Sequence, residues 1–228
     1  MKRELTLLAL TVAGGLGCTP LRMGAPADLA QQSDLIQVTD RSRMSGAFAN
    51  ESFKMGPYEI TNVDRKWNSS SSGSVLNFSA SEAKTGYSFT FKTPQGESKV
   101  QCGSKAKQKN TSVLGFDITT SQDDIGCACE GPGASSKVML SAENSDAPNG
   151  PVTTRGGALS AVAVMQFSNG SRSRTPVGYE FRSQTVVGAV ELAHPGQVWM
   201  SKALDDQARA DVACLAAGLL LYLPPKQD

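Results

Sequence analysis

The chain has 228 residues, with 22 basic against 21 acidic, 39% hydrophobic and 19% charged. That composition can build a core, which excludes global disorder, and the length suits one all-β domain or two small ones. Without residues 1–17 the balance is 20 basic to 20 acidic, so net charge offers no footprint for nucleic acid or an anionic membrane surface.

In chain order, Lys2 and Arg3 precede an uncharged, mostly apolar run of thirteen residues, Leu5–Gly17. A bilayer span needs about 20 residues; the run instead fits the h-region of a signal peptide at 1–17. Cys18 follows at once, in Gly15-Leu16-Gly17-Cys18. This resembles the lipobox of bacterial lipoproteins, with Gly17 as the small residue before the cysteine and Leu16 one position away from its usual place. The resemblance implies that the Cys18 thiol is acylated and the signal cut, which puts the chain at a bacterial cell envelope. The expected address is the outer membrane, with the domain facing the periplasm or the cell surface. The rival reading is a secretory signal cut near Gly17 or Ala25.

Residues 18–45 are polar with no sustained apolar period, which predicts a flexible tether with one short helix around Asp28–Ile36. Such a spacer holds the domain off the membrane. From residue 46 to 228 a single β-rich domain is expected. Ser52–Val63 reads as two strands broken at Gly56-Pro57. Val75–Phe78 reads as another, then a polar turn at Glu82–Gly86. Tyr87, Phe89 and Phe91 alternate with Ser88 and Thr90, the period of a half-buried strand. Further runs are Ser98–Cys102, Val113–Ile118, Lys137–Ser141, Leu159–Phe167, Gly178–Arg182, Thr185–Leu192 and Gln197–Met200, punctuated by Gly, Pro and Asn-Gly turns. Many short punctuated strands predict an antiparallel barrel or sandwich.

The last element differs. Asp205 or Asp206 can cap a helix that Pro224-Pro225 ends, giving a helix over 205–223. From Val212 onward it is apolar all round, so it is either wholly buried or in a membrane. Its uncharged run is too short to span, which predicts a buried core helix. Val162, Val164, Phe167, Val187 and Val190 are available to cover it.

Gly188-Ala189-Val190-Glu191-Leu192, Gln197-Val198-Trp199-Met200 and the helix resemble the end of tubby-like and scramblase-related barrels. That resemblance implies a closed antiparallel barrel around the helix and work at membranes or on phosphoinositides. The basic binding residues of those proteins have no counterpart here that can be placed.

No catalytic constellation emerges. The single histidine, His194, excludes His-pair zinc sites and leaves one candidate base. It reads as a surface residue before Pro195. Ser81-Glu82-Ala83-Lys84 and Lys84-Thr85-Gly86 match motifs of penicillin-recognising enzymes, where they lie far apart; here they overlap in one turn. Asp123, Asp124 and Glu130 read as a solvated loop without calcium-loop spacing. Nucleotide cradles are absent, so neither metal nor cofactor is expected. With Cys18 acylated, Cys102, Cys127, Cys129 and Cys214 remain. In an oxidising envelope Cys102 is expected to pair with Cys127 or Cys129, with a slight preference for Cys129, while Cys214 is expected to be a buried free thiol. The functional expectation is a non-enzymatic envelope lipoprotein with a binding or structural domain. It is held to the membrane by its anchor, has an unidentified protein or lipid partner, and does not bind nucleic acid. The alternative is an envelope hydrolase with a carboxylate- and Ser-based site.

Overall fold

The structure, a computed structural model, describes residues 21–42, 51–65, 85–113, 116–142 and 147–222. Among these, twelve antiparallel strands close into a barrel: β1 (Ser33–Thr39), β2 (Glu51–Met55), β3 (Tyr58–Asp64), β4 (Thr85–Thr93), β5 (Gly96–Val113), β6 (Phe116–Glu130), β7 (Ser136–Leu140), β8 (Gly150–Thr154), β9 (Gly157–Val164), β10 (Gly178–Arg182), β11 (Val186–Glu191) and β12 (Gln197–Ser201). Each strand pairs with its sequence neighbours, and β1 pairs with β12 from Ser33↔Ser201 to Gln37↔Gln197, which removes both sheet edges. The expected barrel or sandwich is thus a barrel. One helix, α1 (Asp206–Leu221), is buried within it.

Side chains alone fill a barrel of about eight strands, whereas wider barrels leave a lumen. Here α1 supplies the filling. Ala210 to Leu221 are all buried, and Val212 to Ala217 are at most 0% exposed. Around them lie the inward positions of the strands, among them Phe53, Ile60, Phe89, Phe91, Val100, Val138, Phe181, Val190 and Met200. The alternation in β4 places Tyr87, Phe89 and Phe91 inside, with the Phe91 ring stacked on Tyr58 at 5.3 Å. Val190 joins this core and Val187 packs on it, but Val164 and Phe167 pack on an outer cluster instead. β9 turns Ala161 and Ala163 toward the core and its bulkier neighbours outward.

Both ends of α1 are satisfied. The Asp205 carboxylate accepts from the Ala208 N–H at 2.8 Å, a conventional N-cap. At the other end Arg65 donates to the Leu221 carbonyl at 2.9 Å, and Arg41 donates to the Leu220 carbonyl. Two guanidinium groups thus face the negative end of the helix dipole and its orphan carbonyls. Arg65 is itself held by buried Glu51 at 2.7 Å.

Three expectations for the chain are corrected. The segment 18–45 is not a tether throughout. A short 3-10 helix covers only Ala27–Leu29, in place of a helix to Ile36, and Ser33–Thr39 is the closing strand β1. Residues 22–29 dock on the barrel's outer face. Met23 and Leu29 are buried with Val177, Val186, Ala189 and Trp199. Glu191, wholly buried, accepts from the Met23 N–H at 2.9 Å and pairs with Arg22 at 3.1 Å. Second, Val113–Ile118 is not one strand. It straddles the hairpin, with β5 ending at Val113 and β6 starting at Phe116. Third, Asp123, Asp124 and Glu130 lie on strand β6, paired to β5, and not in a loop. The structure also adds β8, where the sequence shows only a turn. The expected strand Val75–Phe78 and residues 1–20, Cys18 included, lie outside the described residues.

Candidate functional site

The cysteines converge on the helix. β5 and β6 pair with Cys102 directly opposite Cys127, and both side chains face inward. Their sulfurs lie at disulfide distance, 2.08 Å. The same register puts Cys129 opposite Val100, so the preference for Cys129 as partner of Cys102 is overturned. Cys129, two residues on and on the same face, meets Cys214 of α1 at 2.10 Å. Cys214 is therefore not a free thiol; it ties the helix to the barrel wall. This required the helix to lie inside the barrel, which no spacing announces.

Helix and wall approach closely because Gly218 has no side chain. A Cβ there would lie 2.8 Å from Cys127 Sγ and 3.0 Å from Cys102 Sγ. Tyr87, buried beside them, donates its hydroxyl hydrogen to the Gly218 carbonyl at 2.6 Å. Burial pushes the Tyr87 phenol well above its usual pKa, with Arg65 opposing.

A second polar device holds the first half of α1. Asp211 is 0% exposed. Its carboxylate accepts from the backbone N–H of Ser135 and of Arg155, each at 2.8 Å, and pairs with the Arg155 guanidinium at 2.8 Å. Two turns, β6–β7 and β8–β9, are thereby tied to one helical carboxylate. The arginine fork satisfies a charge that the apolar interior would otherwise make costly.

A cleft of about 600 Å³ opens at the rim where α1 begins. Asp34 and Ile36 of β1, Pro57 and Tyr58 of the β2–β3 hairpin, Pro94 and Gln95 of the β4–β5 turn, and Lys202, Leu204, Asp206 and Arg209 line it. Arg209 donates to Asp34 at 2.8 Å, and Lys202 lies 3.9 Å from the same carboxylate. Burial raises the Tyr58 phenol pKa, with Arg209 opposing through its charge and a hydrogen bond. The cleft offers charge and hydrogen bonds for a small polar group. Serine or cysteine beside a base is not among its lining residues.

His194 sits at the opposite rim, half-buried, its Nε2 at 2.6 Å from the Arg41 carbonyl. It belongs to the Arg41 scaffold that caps α1, not to the cleft. Burial lowers the Arg41 pKa, Glu51 opposing and Arg65 adding to the fall. Ser81–Lys84 lies outside the described residues, while Thr85 and Gly86 begin β4. Asp124 is buried on β6 and Glu130 exposed at its end. Among the described residues, groups of three or more His, Cys, Asp or Glu side chains that could hold a metal ion are absent, and no helix is long and apolar enough to cross a membrane.

No protein-family model, curated protein or solved structure matches the chain.

Proposed function

We propose that the protein is an exported lipoprotein, acylated at Cys18, whose helix-filled barrel is a binding or structural module of the bacterial cell envelope and not an enzyme. The observation that carries this reading is the pair of disulfide-distance cysteine couples inside the core. Such bonds persist in oxidising compartments and are rare in a reducing cytosol. They agree with the signal-like start, the h-region Leu5–Gly17 and Cys18. The buried carboxylates support the non-enzymatic part. Asp211 and Glu191, both 0% exposed, and Glu51 at 8% have structural arginine partners. A closed barrel around a buried helix is also the architecture that tubby-like and scramblase-related proteins share, and membership of that superfamily is proposed on this architecture and the resemblance of residues 188–223. Outer-membrane residence is part of the same proposal.

Metabolic labelling with a radioactive fatty acid tests the reading in cells expressing the full chain. Label is expected on the wild type and lost in Cys18→Ala, with the variant released from membranes on fractionation. Equal labelling of both, or none of either, contradicts it.

A further inference from the structure

Resting on the acylation of Cys18, we infer that the β9–β10 loop, which lies beside the anchor at the rim where α1 ends, meets phospholipid headgroups. Among the described residues, 22–29 are docked on the barrel wall and do not form a spacer. Arg22 donates to buried Glu191, its carbonyl accepts from the Ser168 N–H at 2.8 Å, and the Met23 N–H is held by Glu191. Only Thr19, Pro20 and Leu21 separate Arg22 from Cys18. Four peptide units reach at most about 14 Å. Leu21, 50% exposed, is the apolar residue nearest the anchor.

The rim that this short leash faces is fixed by hydrogen bonds. Glu191 ends β11, and the neighbouring Leu192 carbonyl accepts from Arg41, which also caps α1 at Leu220. The loop beside Arg22 is built, not slack. Phe167 N–H donates to Ser171, Gly170 N–H to Phe167, Ser173 N–H to Met165 and Val177 N–H to Val164. It presents Arg172 and Arg174, both exposed and neither ion-paired among the described residues, and residues 165–177 contain no acidic side chain. Net neutrality of the whole chain hides this local cluster. Lysine or arginine near an anionic leaflet adds attraction within a Debye length, so the loop's charge complements lipid phosphates at the place where the anchor delivers it. The cleft at the other rim lies the length of α1 away, about 24 Å for its 16 residues, and faces away from the membrane.

The test uses the acylated full-length protein in vesicles of zwitterionic and anionic phospholipid, some carrying a nitroxide on the headgroup. A fluorophore is placed at Thr175→Cys or, on the cleft rim, at Gln95→Cys. The mass of the mature N-terminus is read on the same preparations. Loss of most fluorescence at position 175 and none at 95 is expected, with the loss at 175 reduced in Arg172→Glu/Arg174→Glu. An acylated protein quenched equally at both positions, or more at 95, overturns the orientation alone. An unacylated N-terminus overturns the orientation together with the lipoprotein reading.

Discussion

Replacing Gly218 by alanine sets helix propensity against packing. In an exposed helix interior the exchange stabilises by about 1 kcal/mol, because glycine has the greater backbone freedom to lose. At Gly218 the new methyl carbon would sit 2.8 Å from Cys127 Sγ and 3.0 Å from Cys102 Sγ. Those atoms are not the free ends of flexible chains. They are bonded to each other between two paired strands, so relief requires helix and wall to separate. Overpacking of this kind costs about 1–3 kcal/mol, and separation also loosens the Tyr87 bond to the Gly218 carbonyl. Packing wins, and a net loss of about 1–2 kcal/mol is expected in urea unfolding, read as a lower midpoint at unchanged slope. A double-mutant cycle isolates the cause. In a Cys102→Ala/Cys127→Ala background the obstruction is gone, and Gly218→Ala should become neutral or stabilising. A stabilised Gly218→Ala in the wild-type background, or the same cost in both backgrounds, would refute the close approach.

Asp211→Ala strands the Ser135 and Arg155 backbone donors and leaves Arg155 without its carboxylate, so a loss of about 3–5 kcal/mol is expected in the same assay; less than about 1 kcal/mol would show that the clamp is not formed. Burial raises the pKa of Tyr58, Tyr87 and Tyr179 in the folded protein. The unfolded phenols ionise near pH 10, so this stability is whole below about pH 10 and falls as pH rises toward the folded values. The urea midpoint should drop between about pH 10 and about pH 11.5, less steeply in Tyr87→Phe; a flat midpoint for the wild type contradicts the burial. A chain ending at Leu204 leaves the barrel without its filling and should show no cooperative unfolding transition, whereas a soluble, cooperatively folded product would mean that the strands pack on one another without the helix.

The helix was legible because Val212–Leu221 carries no polar face, and the strand class because Tyr87, Phe89 and Phe91 alternate cleanly. Barrel and sandwich share that alternation, so closure could not be read from it; closure depends on β1. That strand is masked in the sequence because Leu35 points outward, 50% exposed, next to buried Ile36, which blurs the period. β8 was hidden by Pro151 and offers one wholly buried side chain, Val152 at 1%. The docking of residues 22–29 rests on scattered contacts, Met23 and Leu29, and on Glu191 far away in sequence. Asp211 carries a faint signal, a lone acid at the head of an apolar run. Its partners come from two turns that only the fold brings together. The cleft at Arg209 and Asp34 likewise joins residues from both ends of the chain. Adjacent strand-like runs tie Cys102 to the β6 cysteines, but the choice between Cys127 and Cys129 turns on strand register, which composition does not encode.

The proposed export and the two disulfides of the barrel core both depend on the redox state of the four core cysteines. The most direct test alkylates free thiols at once in protein taken from the envelope and maps the peptides without reduction. Two cross-linked species are expected, Cys102 with Cys127 and Cys129 with Cys214, and no alkylated cysteine among the four. Four alkylated thiols, or a Cys214 alkylated while the others are paired, would contradict it.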